Sequence, residues 1–280
     1  MTTRRTALQW VGTALGAAWN ARVMGQGLRP GAAGENPAPS PFSVMPAGGW
    51  FPPGEALTAS PNRDRLSHGT GPQVDTPHGS AWRHRALRGI APNRFVLVDE
   101  GPATHLRVEV NGSASALVAR LPGGVRGETL RWRWRADAFP ERAAFGIREA
   151  DDFAARVYLM FDLPDSRLSW SDRLVLRSAA LLQGEPVPAV TLVYLLHAGD
   201  ARAEPLLSPF SDRVAMFVAR SHARPGLWYG ETRLWKQDFE RAFGIRYPGA
   251  IPMPFAIAVG ADGDQTGARF NSAFGDMVFE

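Results

Sequence analysis

Asp151-Asp152-Phe153-Ala154-Ala155-Arg156-Val157-Tyr158-Leu159-Met160-Phe161-Asp162 alternates in side-chain chemistry with a period of two, and its reading decides the fold. Successive side chains of a strand leave on opposite faces. Phe153, Ala155, Val157, Leu159 and Phe161 then point one way, and Asp152, Ala154, Arg156, Tyr158, Met160 and Asp162 the other. The first set predicts a core face. The second puts an acid, a guanidinium and a phenol at alternate positions, the pattern of a polar strand face turned away from the interior and able to bind something.

Outward from this segment, alternation or unbroken apolar character returns at 95–98, 106–110 and 116–121. Glu100-Gly101-Pro102 and Asn111-Gly112-Ser113 separate these runs as turn signals, so a β-meander is expected, with regular structure starting at Arg94. Residues 129–135 form the next strand, with Leu130, Trp132 and Trp134 on one face and Arg131, Arg133 and Arg135 on the other. Further strands are expected at 190–196, 214–219, 227–232, 255–260 and 277–279, with prolines breaking the loops between them. Trp235, Phe239 and Phe243 recur at four-residue steps and Gly244 follows, which predicts one short amphipathic helix with a glycine stop. The expected fold is all-β: an antiparallel jelly-roll-like β-sandwich with one short helix.

A chain of 280 residues, 45% hydrophobic, can bury a full core, and 23 prolines with 29 glycines suit short strands joined by turns. Three zones are expected: an export signal at 1–25, a Pro/Gly-rich flexible arm at 26–61, and the β-sandwich domain at 62–280. Phe42, Val44, Trp50 and Phe51 are the arm's apolar exceptions, suited to lying against the main domain. Arg4-Arg5 before a short, glycine-bearing apolar run looks like a twin-arginine export signal, with the general secretory route or an uncleaved segment left open. That run is too short to span a bilayer, so no stable membrane span is expected and the location is periplasmic or secreted. Cysteine is absent, which excludes disulfides and thiolate chemistry. His68, His78 and His84 match no compact ligand spacing and read as surface histidines in turn-rich sequence. Net charge is +4, with 31 basic and 27 acidic residues interleaved, which gives no support to a nucleic-acid partner. The arginines of 131–135 read as the wet face of one strand.

Trp132 and Trp134 suit either core packing, which Leu130 on the same face favours, or a sugar-stacking platform. Asp262, Asp264 and Thr266 alternate in an acidic hairpin, the spacing with which a calcium loop begins. No Glu stands at the twelfth position, so the turn reading, with side chains capping their own backbone, takes precedence over a metal. No nucleophile elbow, zinc-helix or phosphate-loop motif occurs. An ion pair between Asp152 and Arg156 on their own strand face is an alternative to a catalytic role for Asp152.

These segments resemble the uncharacterised bacterial family known as domain of unknown function 3047. The likeness covers residues 94–280 and is carried by Ser113-Ala114-Ser115, Trp132-Arg133-Trp134, the run from Asp151 to Tyr158, Asp238-Phe239 before Phe243-Gly244, and Asp262-Gly263-Asp264-Gln265-Thr266. It implies an exported β-sandwich without assigned chemistry. The chain departs from the family at Tyr194-Leu195-Leu196, where the family tends to place an aromatic after the tyrosine. The expected function is binding of a carbohydrate, cell-envelope glycan or other small polar ligand on one sheet face, without cofactor or metal. Arg156 and Tyr158 would donate to hydroxyls, Asp152 would orient Arg156, and Asp262, Asp264 and Thr266 would complete the surface. The alternatives are a glycan-acting hydrolase or lyase pairing Asp152 with an acid of 262–276, and a structural envelope module.

Overall fold

The computed structural model describes residues 39, 41–45, 47–48, 50–53, 56–57, 82–87, 89–100, 103–183, 187–202 and 204–280. The expected export signal, much of the arm, His68 and His78 lie outside the described residues.

Strands run in chain order β1 (Ala56–Leu57), β2 (Trp82–Ala86), β3 (Arg94–Asp99), β4 (Thr104–Asn111), β5 (Ala114–Arg120), β6 (Thr129–Ala136) and β7 (Ala155–Phe161). They continue as β8 (Val190–Leu196), β9 (Leu206–Ser208), β10 (Ser211–Arg220), β11 (Tyr229–Leu234), β12 (Pro254–Asp262), β13 (Arg269–Phe274) and β14 (Val278–Phe279). Among the described residues the α-helices are α1 (Trp170–Gln183) and α2 (Trp235–Phe243).

The strands form an eight-stranded sheet in the order β1-β2-β5-β12-β7-β8-β10-β9 and a six-stranded sheet in the order β11-β6-β13-β4-β3, with β14 also on β6. The all-β sandwich expectation holds. Alternation explains the packing: Leu130, Trp132 and Trp134 of β6 join Val157, Leu159 and Phe161 of β7 and Ile257 and Val259 of β12 in one core. Burying such aromatics removes roughly 150–250 Å² each from water, the main favourable contribution to holding two sheets together. Phe42 stacks on Trp82 at 4.9 Å, and the Phe51 N–H donates to Phe95 O at 3.0 Å, so this part of the arm packs on the sandwich.

Four expectations change. β3 pairs with β4, but β5 belongs to the other sheet, so Asn111-Gly112-Ser113 carries the chain between layers and the meander ends there. Regular structure begins before Arg94: β2 pairs with β5, burying Trp82 and also His84, whose ring nitrogens bond Phe51 O and Ser115 Oγ at 2.7 and 2.9 Å. His84 is therefore a core histidine. The β8–β10 pair is parallel, so the larger sheet is not wholly antiparallel. Finally, α1 is a second helix, nucleated by a reciprocal cap: the Asp172 N–H donates to Ser169 Oγ at 3.0 Å and the Ser169 N–H to Asp172 Oδ2 at 3.3 Å. Arg213 Nη2 donates to Asp172 Oδ1 at 2.6 Å and ties that cap to β10.

Candidate functional site

Three chain crossings between the sheets meet at one end of the sandwich: β4 to β5, β6 to β7, and β12 to β13. The Gly112 N–H donates to Ala268 O at 2.9 Å, Gly263 N–H to Ser113 O at 3.0 Å, and Asp262 N–H to Phe153 O at 3.2 Å. Gly112 and Gly267 have positive φ, 56° and 71°, where a glycine lets the backbone reverse without strain. The expected acidic hairpin is thus a crossing between layers. It brings Asp262, Asp264 and Thr266 beside Asp151, Asp152 and Arg156.

Arg156 sits at the centre of this corner and is 3% exposed. Its Nε donates to Asp262 Oδ1 at 2.7 Å and its Nη2 to Asp262 Oδ2, a bidentate pair. Nη2 also donates to the Asp151 carbonyl and lies 3.3 Å from Asp151 Oδ2. Burial works against the guanidinium's charge, but Asp262 and Asp151 outweigh it and hold Arg156 protonated. Burial pushes the Asp262 and Asp151 carboxyls up, and Arg156 pulls both back.

Asp152 does not pair with Arg156, which corrects the expected orienting role. Its Oδ2 accepts from Thr266 N at 2.7 Å and Thr266 Oγ1 at 2.6 Å, and its Oδ1 from Gln265 N at 3.3 Å. Asp152 is 0% exposed and serves as the tether of the β12–β13 crossing. The strand itself begins at Ala155, so Asp151, Asp152 and Phe153 precede the alternation. Phe153 consequently packs with Val193, Leu195 and Met216 on the outer face of the larger sheet, away from Val157 and Leu159.

Asp152, Asp262 and Asp264 each bring a carboxylate oxygen within 4.8 Å of the others, the geometry of a hard-cation site. Most of those oxygens already accept: Asp262 from Arg156 and the Phe153 N–H, Asp152 from the crossing. Asp264 is the freer acid. Its Oδ1 has no hydrogen-bond partner among the described residues, and burial, then the Asp152 charge, pushes its carboxyl up to about 6.

Tyr158 lies beside this knot, two residues along β7 from Arg156 on the outer face of the larger sheet, and is half-buried. Burial pushes its phenol up and Arg156 pulls it back, so the hydroxyl stays neutral and able to donate. It borders a small cleft lined by Leu87, Ala114, Ser115, Ala116, Ala261 and Asp262, with the Ser115 hydroxyl itself turned inward to His84 and Asn93. The cleft exists because β5 and β12 present Ala116, Ala256 and Ala258 to this face, leaving space beside Tyr158 and Met160. Trp132 and Trp134 lie elsewhere, buried between the sheets with ring centroids 5.2 Å apart, and Trp134 Nε1 donates to Glu231 Oε1 at 3.1 Å. They form no stacking platform.

Sequence reasoning missed Asp151 as a partner of Arg156 and missed Leu87 and Ser115 as cleft residues. The doubled acid Asp151-Asp152 held a signal for the first: adjacent residues point apart, so the two can serve different partners. A family model described as Protein of unknown function (DUF3047) matches residues 80–278. No curated protein matches the chain.

Proposed function

The chain belongs to the DUF3047 family, and from that premise we propose that it is a binding module for a carbohydrate or cell-envelope glycan, held on the outer face of the eight-stranded sheet. One observation carries this reading: on the outer sheet face Tyr158 holds a phenol hydroxyl, with no hydrogen bond among the described residues, beside a water-sized cleft lined by Leu87, Ala114 and Ala116. A sugar lying over this face offers hydroxyls that the phenol can meet, one of them small enough to enter the cleft. Arg156 contributes indirectly, because its bidentate hold on Asp262 fixes one side of the cleft. The Arg4-Arg5 segment supports placing this module in the periplasm or outside the cell.

A glycan array screened with protein shown to be folded tests the reading. At least one class of glycan should bind, and Tyr158→Phe should weaken that binding about tenfold, the size of one lost hydrogen bond within a recognition site. An array without a hit, or a hit indifferent to Tyr158→Phe, would sink it. A glycan-acting hydrolase or lyase is the second reading, favoured by Asp264, whose carboxyl at about 6 suits a general acid. Its partner would have to be an acid other than Asp152, which has both oxygens committed to the crossing.

A further inference from the structure

The outer face of the six-stranded sheet carries more positive charge than its own acids neutralise. Alternation along β6 points Arg131, Arg133 and Arg135 away from the core, about 7 Å apart, and β4 places Arg107 two strands across from Arg135, with Ala273 between them. Arg94 and Arg269 lie on the same face. Among the described residues the acids there are Glu100, Glu109, Glu280 and Asp137, and Asp137 is taken up by Asn271, whose N and Nδ2 donate to it at 2.6 and 2.7 Å. Arg94 Nη1 donates to both Glu109 oxygens at 2.9 and 3.0 Å, and Arg107 makes only a loose 3.6 Å contact with the same carboxylate. Arg135 bonds Glu100, and Arg131 reaches Glu280 at 3.3 Å. Arg133 is exposed and has no carboxylate partner among the described residues.

Arg133 is nevertheless seated. Gly230 and Gly275 flank it in the register, and its side chain lies across Gly275 so closely that a Cβ there would stand 2.6 Å from Arg133 Cγ. Its guanidinium carbon is 4.8 Å from the centre of the Trp228 ring, and that of Arg135 is 5.0 Å from it. The ring of His105 meets the same indole edge-on at 5.3 Å. His105 is 1% exposed, yet its Nε2 has no hydrogen-bond partner among the described residues and lies 3.8 Å from Glu100 Oε2. Arg107 Nε is likewise buried without a partner. Arg133 thus presents an exposed guanidinium held in a fixed direction by the Trp228 ring and Gly275, the kind of oriented donor that a carboxylate can meet at two points.

We propose that Arg133, Arg107, Arg135 and Trp228 on the outer face of the six-stranded sheet form a binding site for the carboxylates of an acidic polysaccharide. The charge is spread along a strand and across to β4, which fits a chain bearing repeated carboxylates better than a single compact anion. Arginine supplies planar two-point donors for carboxylate, and the exposed part of the Trp228 indole supplies an apolar surface for a sugar ring. This site lies on the opposite sheet from the Tyr158 cleft, so it goes beyond the function proposed above and fails or survives separately.

The test is calorimetric titration of the whole chain with tetragalacturonate, with cellotetraose as the neutral counterpart and tripolyphosphate as the compact anion. Tetragalacturonate should bind and weaken severalfold on raising salt, as surface charge recognition does. Arg133→Ala should weaken it about tenfold, Gly275→Ala, which displaces Arg133 without removing charge, should weaken it similarly, and Tyr158→Ala should leave it within about twofold. Failure of tetragalacturonate to bind, equal binding of cellotetraose to the Tyr158→Ala protein, tighter binding of tripolyphosphate, or indifference to Arg133→Ala would each overturn the assignment. Loss of neutral-glycan binding in Tyr158→Ala with tetragalacturonate binding intact separates the two surfaces.

Discussion

Arg156 and Asp262 form a buried bidentate ion pair that joins β7 to the end of β12, with Nε and Oδ1 2.7 Å apart. An isolated charge there would be costly, so each partner's presence depends on the other. Asp262→Ala should lose about 3–5 kcal/mol of unfolding free energy, read from urea denaturation. Replacing both by apolar residues of similar volume should cost clearly less than the two single changes added together. An Asp262→Ala protein as stable as the parent would show that the pair holds nothing.

Asp152 is a tether for the crossing between β12 and β13. Asp152→Ala leaves the Thr266 N–H, the Thr266 hydroxyl and the Gln265 N–H without their acceptor and should cost about 2–3 kcal/mol. Hydrogen exchange should quicken at Thr266 far more than at Phe274 within β13. Equal effects at the two positions would make Asp152 a general contributor to stability with no special bearing on the crossing.

Asp264 makes stability depend on pH in a direction opposite to most carboxylates. Its carboxyl stands at about 6 in the folded chain against an ordinary 3.8. As pH rises the unfolded chain releases this proton first, so the group's contribution is present below about 4 and lost between about 4 and 6. Asp264→Asn should match the parent in acid and exceed its stability near neutral pH by about 2–3 kcal/mol, seen as a higher denaturant midpoint. A variant less stable than the parent at neutral pH would contradict this.

Tyr194 donates to Asp238 Oδ2 at 3.0 Å, and Arg233 holds the same carboxylate at 2.6 and 3.0 Å, linking β8, α2 and β11 inside the sandwich. Tyr194→Phe should therefore cost about 1–2 kcal/mol in thermal or urea unfolding without changing glycan binding. A loss of binding at unchanged stability would place a ligand inside the fold.

Strands β3 to β8 and β10 to β12 were legible because their apolar residues alternate or run unbroken, and α2 because its aromatics step by four. β2 was not, because Arg83, His84 and Arg85 read as loop until Trp82 and the buried His84 bonds supply the missing reason. α1 was hidden by its mixed face, with Leu174 and Val175 exposed beside half-buried Leu176. The Ser169-to-Asp172 spacing was the signal that would have found it. At the candidate site, local pattern suggested pairing Arg156 with Asp152, four residues away. The actual partner of Arg156, Asp262, is 106 residues off, set by the topology of the crossings and by no local spacing.

The corner where the layers exchange chain has a consequence for biosynthesis. A ribosome finishes Arg156 106 residues before it reaches Asp262, so the guanidinium emerges without the acid that lets it be buried. β12, which lies between β5 and β7, is also made after both of them. The segments made earlier therefore cannot close this corner until Asp262 has been synthesised, and a message truncated upstream of Asp262 yields a product that cannot seal its own seam.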